Sequence, residues 1–274
     1  MPEQHPTPVV RVRGLRKEFP GHDRRHPVVA VDGVGFDLGA GEALAVVGES
    51  GSGKTTVARM LMGLEQRTSG TIEVCGRSRG SGRPGAAERR RRAREMQLVF
   101  QDPYLSLDRS QRIGDILDTA VRLQHDLSRE ARRARVDELM EQVGLLPRHA
   151  TVYPRQLSGG QRQRVAIARA LAAQPSVLVL DEAVAALDVS VQAQVLNLLC
   201  DIRESTDIAF LFITHDLAVV NQVCERTLVM RGGTVVEEGP TARVLSSPAQ
   251  EYTRRLIDAV PRPGWTPQRS GTAS

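Results

Sequence analysis

The stretch "ALAVVGESGSGKTTVARMLM", Ala43 to Met62, limits what the chain can fold into more than any other. A continuous apolar run passes through a glycine-rich loop into a segment whose apolar residues (Ala58, Leu61, Met62) recur at helical spacing. Gly48 to Thr55 fits G-x-x-x-x-G-K-[ST], and a strand before it and a helix after it are the setting in which that pattern cradles phosphate. The glycines let backbone N–H groups along Gly48, Glu49, Ser50, Gly51, Ser52 and Gly53 wrap an anion. The start of the helix, with Thr56 in its first turn, adds a positive end. Lys54 reaches the outer phosphates, and the Thr55 hydroxyl can ligate Mg²⁺.

Composition sharpens the role of Lys54. Of the 37 basic residues only Lys17 and Lys54 are lysines, and the rest are arginines. A chain that writes nearly every cation as arginine keeps a lysine at the end of its glycine loop. A compact ammonium fits among phosphate oxygens where a planar guanidinium fork does not. The same arginine bias undercuts a nucleic-acid reading of the net charge of +5, because aromatic residues, the usual stacking platforms, make up only 3% of the chain. "ERRRRARE", Glu88 to Glu95, reads as a solvated helix face, and no nucleic-acid partner is expected.

Apolar runs recur at "MQLVF" (Met96–Phe100), "SVLVLDE" (Ser176–Glu182) and "IAFLFITH" (Ile208–His215), alternating with segments of helical spacing. Strands without polar alternation are buried on both faces, so the chain reads as α/β with a mainly parallel core sheet. "VVRVRGL", "VVAVDGVGFDL", "SGTIEVCG" and "RTLVMRGGTVVEEG" supply further strands. Gly/Arg/Pro-rich residues 78–87 read as a surface loop. From Pro103, which ends the Met96–Phe100 strand, to about residue 172 the pattern is helical, with Ser128 as a cap and Gly144 as a stop. This block looks like a helical insertion into the α/β core. The Pro/Gly/Ser-rich tail after Pro261 reads as disordered. No apolar stretch approaches the length of a membrane span, and the first residues lack the apolar core of an export signal. Cys75, Cys200 and Cys224 show no metal-ligand spacing and read as buried reduced thiols.

Four of the apolar strands end in polar residues: Gly48, Gln101, Asp181 with Glu182, and His215. Ligands in open α/β sheets gather outside the carboxyl ends of the strands. Asp181 can hold a magnesium shell, and Glu182 can orient or deprotonate a water. Gln101 could sense metal or water, and His215 could hydrogen-bond a terminal phosphate.

"RQLSGGQRQRVAIARAL", Arg155 to Leu171, contains a second candidate cradle. Ser158 and Gln161 fit a capping box, but a capping box does not require Gly159 and Gly160 in the first helical turn, where glycine costs up to ~1 kcal/mol against alanine. Paired glycines open a helix N-terminus to close approach, and the natural visitor there is an anion.

Together, Gly48 to Thr56, Gln101, "LSGGQ" (Leu157–Gln161), Asp181–Glu182, Leu187–Asp188 and His215 resemble the ATP-binding subunits of ABC transporters in order and spacing, from about Val9 to Gly239. The resemblance implies ATP and Mg²⁺ as cofactors, with Lys54, Thr55 and Asp181 at the phosphates and metal. It implies Glu182 as catalytic base, His215 as γ-phosphate switch, and Gln101 near the metal as the link to a membrane partner. It also implies a head-to-tail pair in which Ser158, Gly159, Gly160 and Gln161 of one subunit complete the ATP site of the other, Asp188 links the two sites, and an aromatic residue (candidate Phe19) stacks on adenine.

"VFQDPYLSLD", "DEAVAALDVSVQAQVLNLL" and "YTRRLIDAVP" are similar to the oligopeptide/dipeptide uptake subgroup, with nickel or another small solute as the alternative cargo and a non-transport ABC ATPase as the alternative role. That similarity implies an ATPase domain over 1–245 with a helical subdomain at about 103–172 and an extension over 246–274. It also implies two membrane permeases, a second ATPase subunit, an extracytoplasmic solute-binding protein, and a location at the cytoplasmic face of the membrane. Two positions depart from the subgroup pattern: Ala185, where serine is usual, and Gln250–Glu251, where His-Pro is usual.

Overall fold

The computed structural model describes residues 8–21, 27–82, 84–102 and 107–259. Pro103 and the tail after Pro261 lie outside them. The chain opens with two long strands, β1 (Val10–Phe19) and β2 (Val28–Leu38), and the short fully buried β3 (Ala43–Val47), which feeds α1 (Lys54–Met62). After β4 (Ser69–Val74) and β5 (Arg77–Ser78) comes α2 (Ala86–Glu95), which leads directly into β6 (Met96–Val99). Three helices then follow one another: α3 (Ile113–Gln124), α4 (Arg129–Gln142) and α5 (Gly159–Leu171). The α/β alternation resumes with β7 (Val177–Asp181), α6 (Val189–Ser205), β8 (Ala209–Ile213), α7 (Leu217–Val223), β9 (Arg226–Arg231) and β10 (Thr234–Pro240). Two short helices, α8 (Thr241–Ser246) and α9 (Glu251–Asp258), complete the described chain.

The strands form two sheets. One is antiparallel, in the order β2-β1-β4-β5; the other runs β10-β9-β3-β8-β7-β6. In the second sheet β9, β3, β8, β7 and β6 are parallel neighbours, and only β10 is antiparallel. The continuous apolar runs have a direct cause here. Leu44, Val46, Val177, Val179, Leu211 and Ile213 face a core shared with the antiparallel sheet and α1. Their alternates Ala43, Ala45, Leu178, Leu180, Phe210 and Phe212 face a second core built with the helices. Neither face is left to water, so no polar alternation survives in the sequence.

The helix signals hold at both ends of α4. Ser128 accepts a hydrogen bond from the Ala131 N–H at 3.2 Å, and Gly144 takes φ +65° just past the helix. On α2 the charges pair along the helix, Glu88 with Arg91 and Arg92 at 2.5 and 2.8 Å, and these three side chains are half-buried while Arg89, Arg90 and Arg94 are exposed.

Two sequence expectations need correction. Arg79, placed in a surface loop, is buried, because its guanidinium turns inward to Glu95 at 2.7 Å. The thiols are not uniformly buried: Cys224 is, and its pKa is pushed up by burial, but Cys200 is only partly covered and Cys75 is exposed at a left-handed turn position with φ +50°.

Candidate active site at the carboxyl ends of the core strands

Because β3, β8, β7 and β6 are adjacent and parallel, the residues that follow them reach one rim. That rim carries, in spatial order, Gly48, Thr214–His215, Asp181–Glu182 and Gln101.

The glycine loop at β3 is held by contacts that only glycine permits. A Cβ on Gly48 would run into the Met230 carbonyl oxygen, and one on Gly53 (φ +103°) would sit 2.5 Å from the Ala30 carbonyl oxygen. The loop therefore lies flush against β9 on one side and β2 on the other. Inside it, the Lys54 ammonium donates to the carbonyl oxygens of Gly48 and Glu49, both at 2.8 Å, and to Ser52 Oγ at 3.3 Å. Lys54 is buried, and burial draws its pKa below the usual lysine value, opposed by the charges of Glu182, Asp181 and Glu49. The first helical turn carries Thr55, whose hydroxyl donates to Asp181 Oδ1 at 3.3 Å. Burial raises the Asp181 pKa and Glu182 adds to the shift, while the Thr55 hydrogen bond opposes it.

Glu182 has φ +49°, a left-handed conformation that a glutamate adopts only when its surroundings impose it. Its N–H donates to the Ile213 carbonyl at 2.8 Å, extending the β7–β8 ladder by one residue. The turn swings the carboxylate across to β8, where Oε1 lies 3.1 Å from His215 Nδ1. Asp216 then caps α7 through the Ala218 N–H at 2.9 Å and accepts from Gln192 of α6 at 3.1 Å. A cavity of about 610 Å³ opens over this rim. Its walls are Gly48, Glu49, Ser50 and Lys54 of the loop, Glu182 and His215, and Leu256 with Ala259 at the end of α9. Gln101 is exposed in the bend after β6, at the edge of the rim.

Phe19 is half-buried at the end of β1, with the Lys17 ammonium 4.6 Å from its ring centre, and it does not line the cavity. It pairs across β1–β2 with Val28, two residues before the Ala30 that packs on Gly53.

The second cradle stands apart. Ser158 caps α5, accepting from the Gln161 N–H at 3.2 Å, while Gln161 Oε1 accepts from the Ser158 N–H at 3.0 Å. No residue from 157 to 161 lines the cavity over the P-loop. Gly160 has a reason inside this chain: a Cβ there would collide with Val191 Cγ1 of α6. Gly159 has none of that kind, since its Cβ would meet only Leu187 Cδ2 at an ordinary 3.6 Å. Asp188, in the same junction, caps α6 by accepting from the Val191 N–H at 3.0 Å and Ser190 Oγ at 2.8 Å, and these bonds hold its pKa below the usual carboxylate value.

Solved structures share this fold. CbiO1 from Clostridium perfringens, part of the ABC transporter complex cbiONQ, superimposes with a TM-score of 0.77 at 26% identity, covering 88% of this chain and 92% of that one. The ATP-binding cassette MJ0796 in its dimeric, ADP- and Pi-bound state gives 0.74 at 28% identity, covering 85% and 98%. Residues 31–185 match the ABC transporter family, a span that carries the P-loop and the Asp181–Glu182 strand end. The chain belongs to that family. The di/tripeptide transport ATP-binding protein DppF of Pseudomonas aeruginosa is 48% identical over 250 residues, 91% of this chain and 75% of DppF. The glutathione import ATP-binding protein GsiA of Escherichia coli is also 48% identical, over 93% of this chain but only 41% of GsiA. This ABC protein is accordingly an ATPase, and the rim just described is where its nucleotide chemistry is to be sought.

The residues fit a magnesium nucleotide. Thr55 and Asp181 offer hard oxygen donors beside the loop. Among the described residues no cluster of three or more His, Cys, Asp or Glu side chains forms an all-protein metal cage. Mg²⁺ commonly takes one or two protein oxygens and completes its shell with phosphate and water. Sequence reasoning missed one contributor to the site, Tyr252, whose Oη accepts from the Glu49 N–H at 3.2 Å across 203 residues of chain. No local spacing announces a contact of that range.

Proposed function

We propose that this ABC ATPase is the energy-coupling subunit of a membrane importer for oligopeptides or dipeptides. The alignment of Lys54, Thr55–Asp181 and Glu182–His215 along one rim carries the ATPase part of the reading. The 48% identity to a di/tripeptide transport ATPase, together with the "YT" segment on α9, carries the peptide part.

In this reading the loop N–H groups and Lys54 bind the phosphates, and Glu182 accepts the proton of the attacking water. His215, hydrogen-bonded to Glu182, turns between that carboxylate and the γ-phosphate. Gln101 senses the occupied site from the edge strand. Thr55 and Asp181 would hold Mg²⁺, which would supply charge neutralisation at the phosphates. Phe19, one strand removed from the loop, stacks on adenine. Ser158, Gly159, Gly160 and Gln161 serve the ATP of a second subunit, and Asp188 links the two sites. ATP drives the pair closed because it binds the closed form better than the open one.

The ATPase domain spans 1–245, with the helical subdomain at about 103–172, and 246–274 is an importer-type extension. No helix among the described residues is long and apolar enough to cross a membrane. Translocation then belongs to two permease subunits fed by an extracytoplasmic binding protein, with this chain docked at their cytoplasmic face. The test is to isolate tagged Glu182→Gln from membranes in MgATP. Recovery of permease subunits and a second ATPase is the expected result, and recovery of none would overturn the importer assignment.

A further inference from the structure

The glycine loop is braced from the far end of the chain. The Gly233 N–H donates to the Ser52 carbonyl at 3.1 Å, and Gly48 lies against the Met230 carbonyl. The third brace is the helix α9. Its N-terminus is tied to β10, where the Glu237 carboxylate accepts from the N–H groups of Ala249 at 2.7 Å and Gln250 at 3.1 Å. One turn on, Tyr252 is 7% exposed, with the Arg231 guanidinium 5.0 Å from its ring centre, and its hydroxyl oxygen accepts the Glu49 N–H. Leu256 and Ala259, four and seven residues further along the same helix face, line the cavity beside the loop.

The peptide unit between Gly48 and Glu49 is therefore gripped at both ends. Its N–H points to Tyr252, and its carbonyl, that of Gly48, accepts from the Lys54 ammonium at 2.8 Å. A peptide is planar, so fixing the direction of the N–H fixes the direction of the opposing carbonyl. We infer that Tyr252 is a positioning residue for the ATPase: by orienting the Gly48–Glu49 peptide it presets the loop and the Lys54 ammonium for the polyphosphate, which makes α9 part of the nucleotide site. This rests on the proposal that the loop binds MgATP.

Without the hydroxyl the partly buried N–H loses its acceptor, the peptide is held only at its Lys54 end, and part of the loop's ordering comes at the expense of binding. Phenylalanine keeps the ring packing and removes only the acceptor. The experiment measures MgATP and magnesium tripolyphosphate binding to full-length wild type, Tyr252→Phe and Lys54→Ala by calorimetry, with thermal melting alongside. Tyr252→Phe is expected to weaken both ligands by the same factor, roughly three- to tenfold, the worth of about one hydrogen bond. Equal loss for the two ligands locates the effect at the phosphates, whereas a merely structural anchor would lower the melting temperature and leave both affinities alone. Wild-type affinity in Tyr252→Phe, with binding lost in Lys54→Ala, would overturn the inference and leave the nucleotide site standing. Absence of MgATP binding to the wild type would overturn both.

Discussion

The two glycine-bearing helix starts, before α1 and before α5, have different surroundings. The start of α1 has no side-chain cap and is enclosed by its own chain: β9 at Gly48, β2 at Gly53, Asp181 at Thr55, and the Lys54 ammonium within the loop. The start of α5 pairs the N–H groups of Ser158 and Gln161 in a capping box, exposes Ser158, and contributes nothing to the cavity over the P-loop. One end is preorganised and carries buried charge; the other is stable by itself and presents a surface. A glycine-bearing helix end that does not line the cavity over its own chain's P-loop fits the proposed role in a second subunit's site. The comparison also separates the two signature glycines. At Gly160 the missing side chain makes room for Val191 of the same chain, whereas nothing in the chain crowds a side chain at Gly159.

The largest effects are expected at α1 and its rim. Glu182→Gln should lower the turnover number by roughly 10²–10⁴-fold, the range for loss of a general base, while MgATP affinity stays close to wild type. Steady-state phosphate release and equilibrium binding measure the two halves, and near-normal turnover would remove Glu182 as the base. Lys54→Ala should weaken MgATP binding about a hundredfold, since two charge-assisted bonds are lost; unchanged affinity in a binding isotherm would dissolve the distinction between the two helix ends.

A smaller effect sharpens the claim that the α1 end carries a stability cost. The Asp181 pKa is raised in the folded chain by burial, so the unfolded chain releases that proton first as pH rises. Its contribution favours folding below the ordinary aspartate pKa and is lost as pH climbs through the raised folded value. At neutral pH the buried charge is a net cost. Asp181→Asn should raise the melting temperature of the nucleotide-free protein by a few degrees at pH 7, with the gain shrinking towards pH 4, while the Mg²⁺ requirement for nucleotide binding weakens. No gain at pH 7 would mean that Thr55 and Lys54 already compensate the charge. Ala185→Ser restores the residue usual in the peptide-uptake subgroup at an exposed position, and turnover should change less than about twofold.

The core was legible because its signals are local. Each buried strand announces itself as an apolar run, and each run ends in the residue that reaches the rim, as at Val46–Gly48 and Leu180–Glu182. Lys54 stood out against the arginine background for a reason of chemistry that holds wherever the loop sits. What could not be read is what depends on distant chain packing. The turn of Glu182 into φ +49° is imposed by β8, thirty-one residues on, through the Ile213 carbonyl. The requirement for glycine at 160 comes from Val191, and the burial of Arg79 comes from Glu95. Tyr252 reads in the sequence as a mark of subgroup membership. Its contact with Glu49 becomes visible only when α9 is seen lying beside the P-loop.

The α5 end is proposed to work on a nucleotide bound by another subunit. The direct measurement is Ser158→Arg, assayed twice: MgATP binding by the isolated subunit, and ATP hydrolysis by the complex reassembled with its permeases and second ATPase. The account requires wild-type binding in the first assay and loss of the hydrolysis that depends on this signature in the second. Loss of binding by the isolated subunit would contradict it, because the α5 end would then serve the ATP of its own chain.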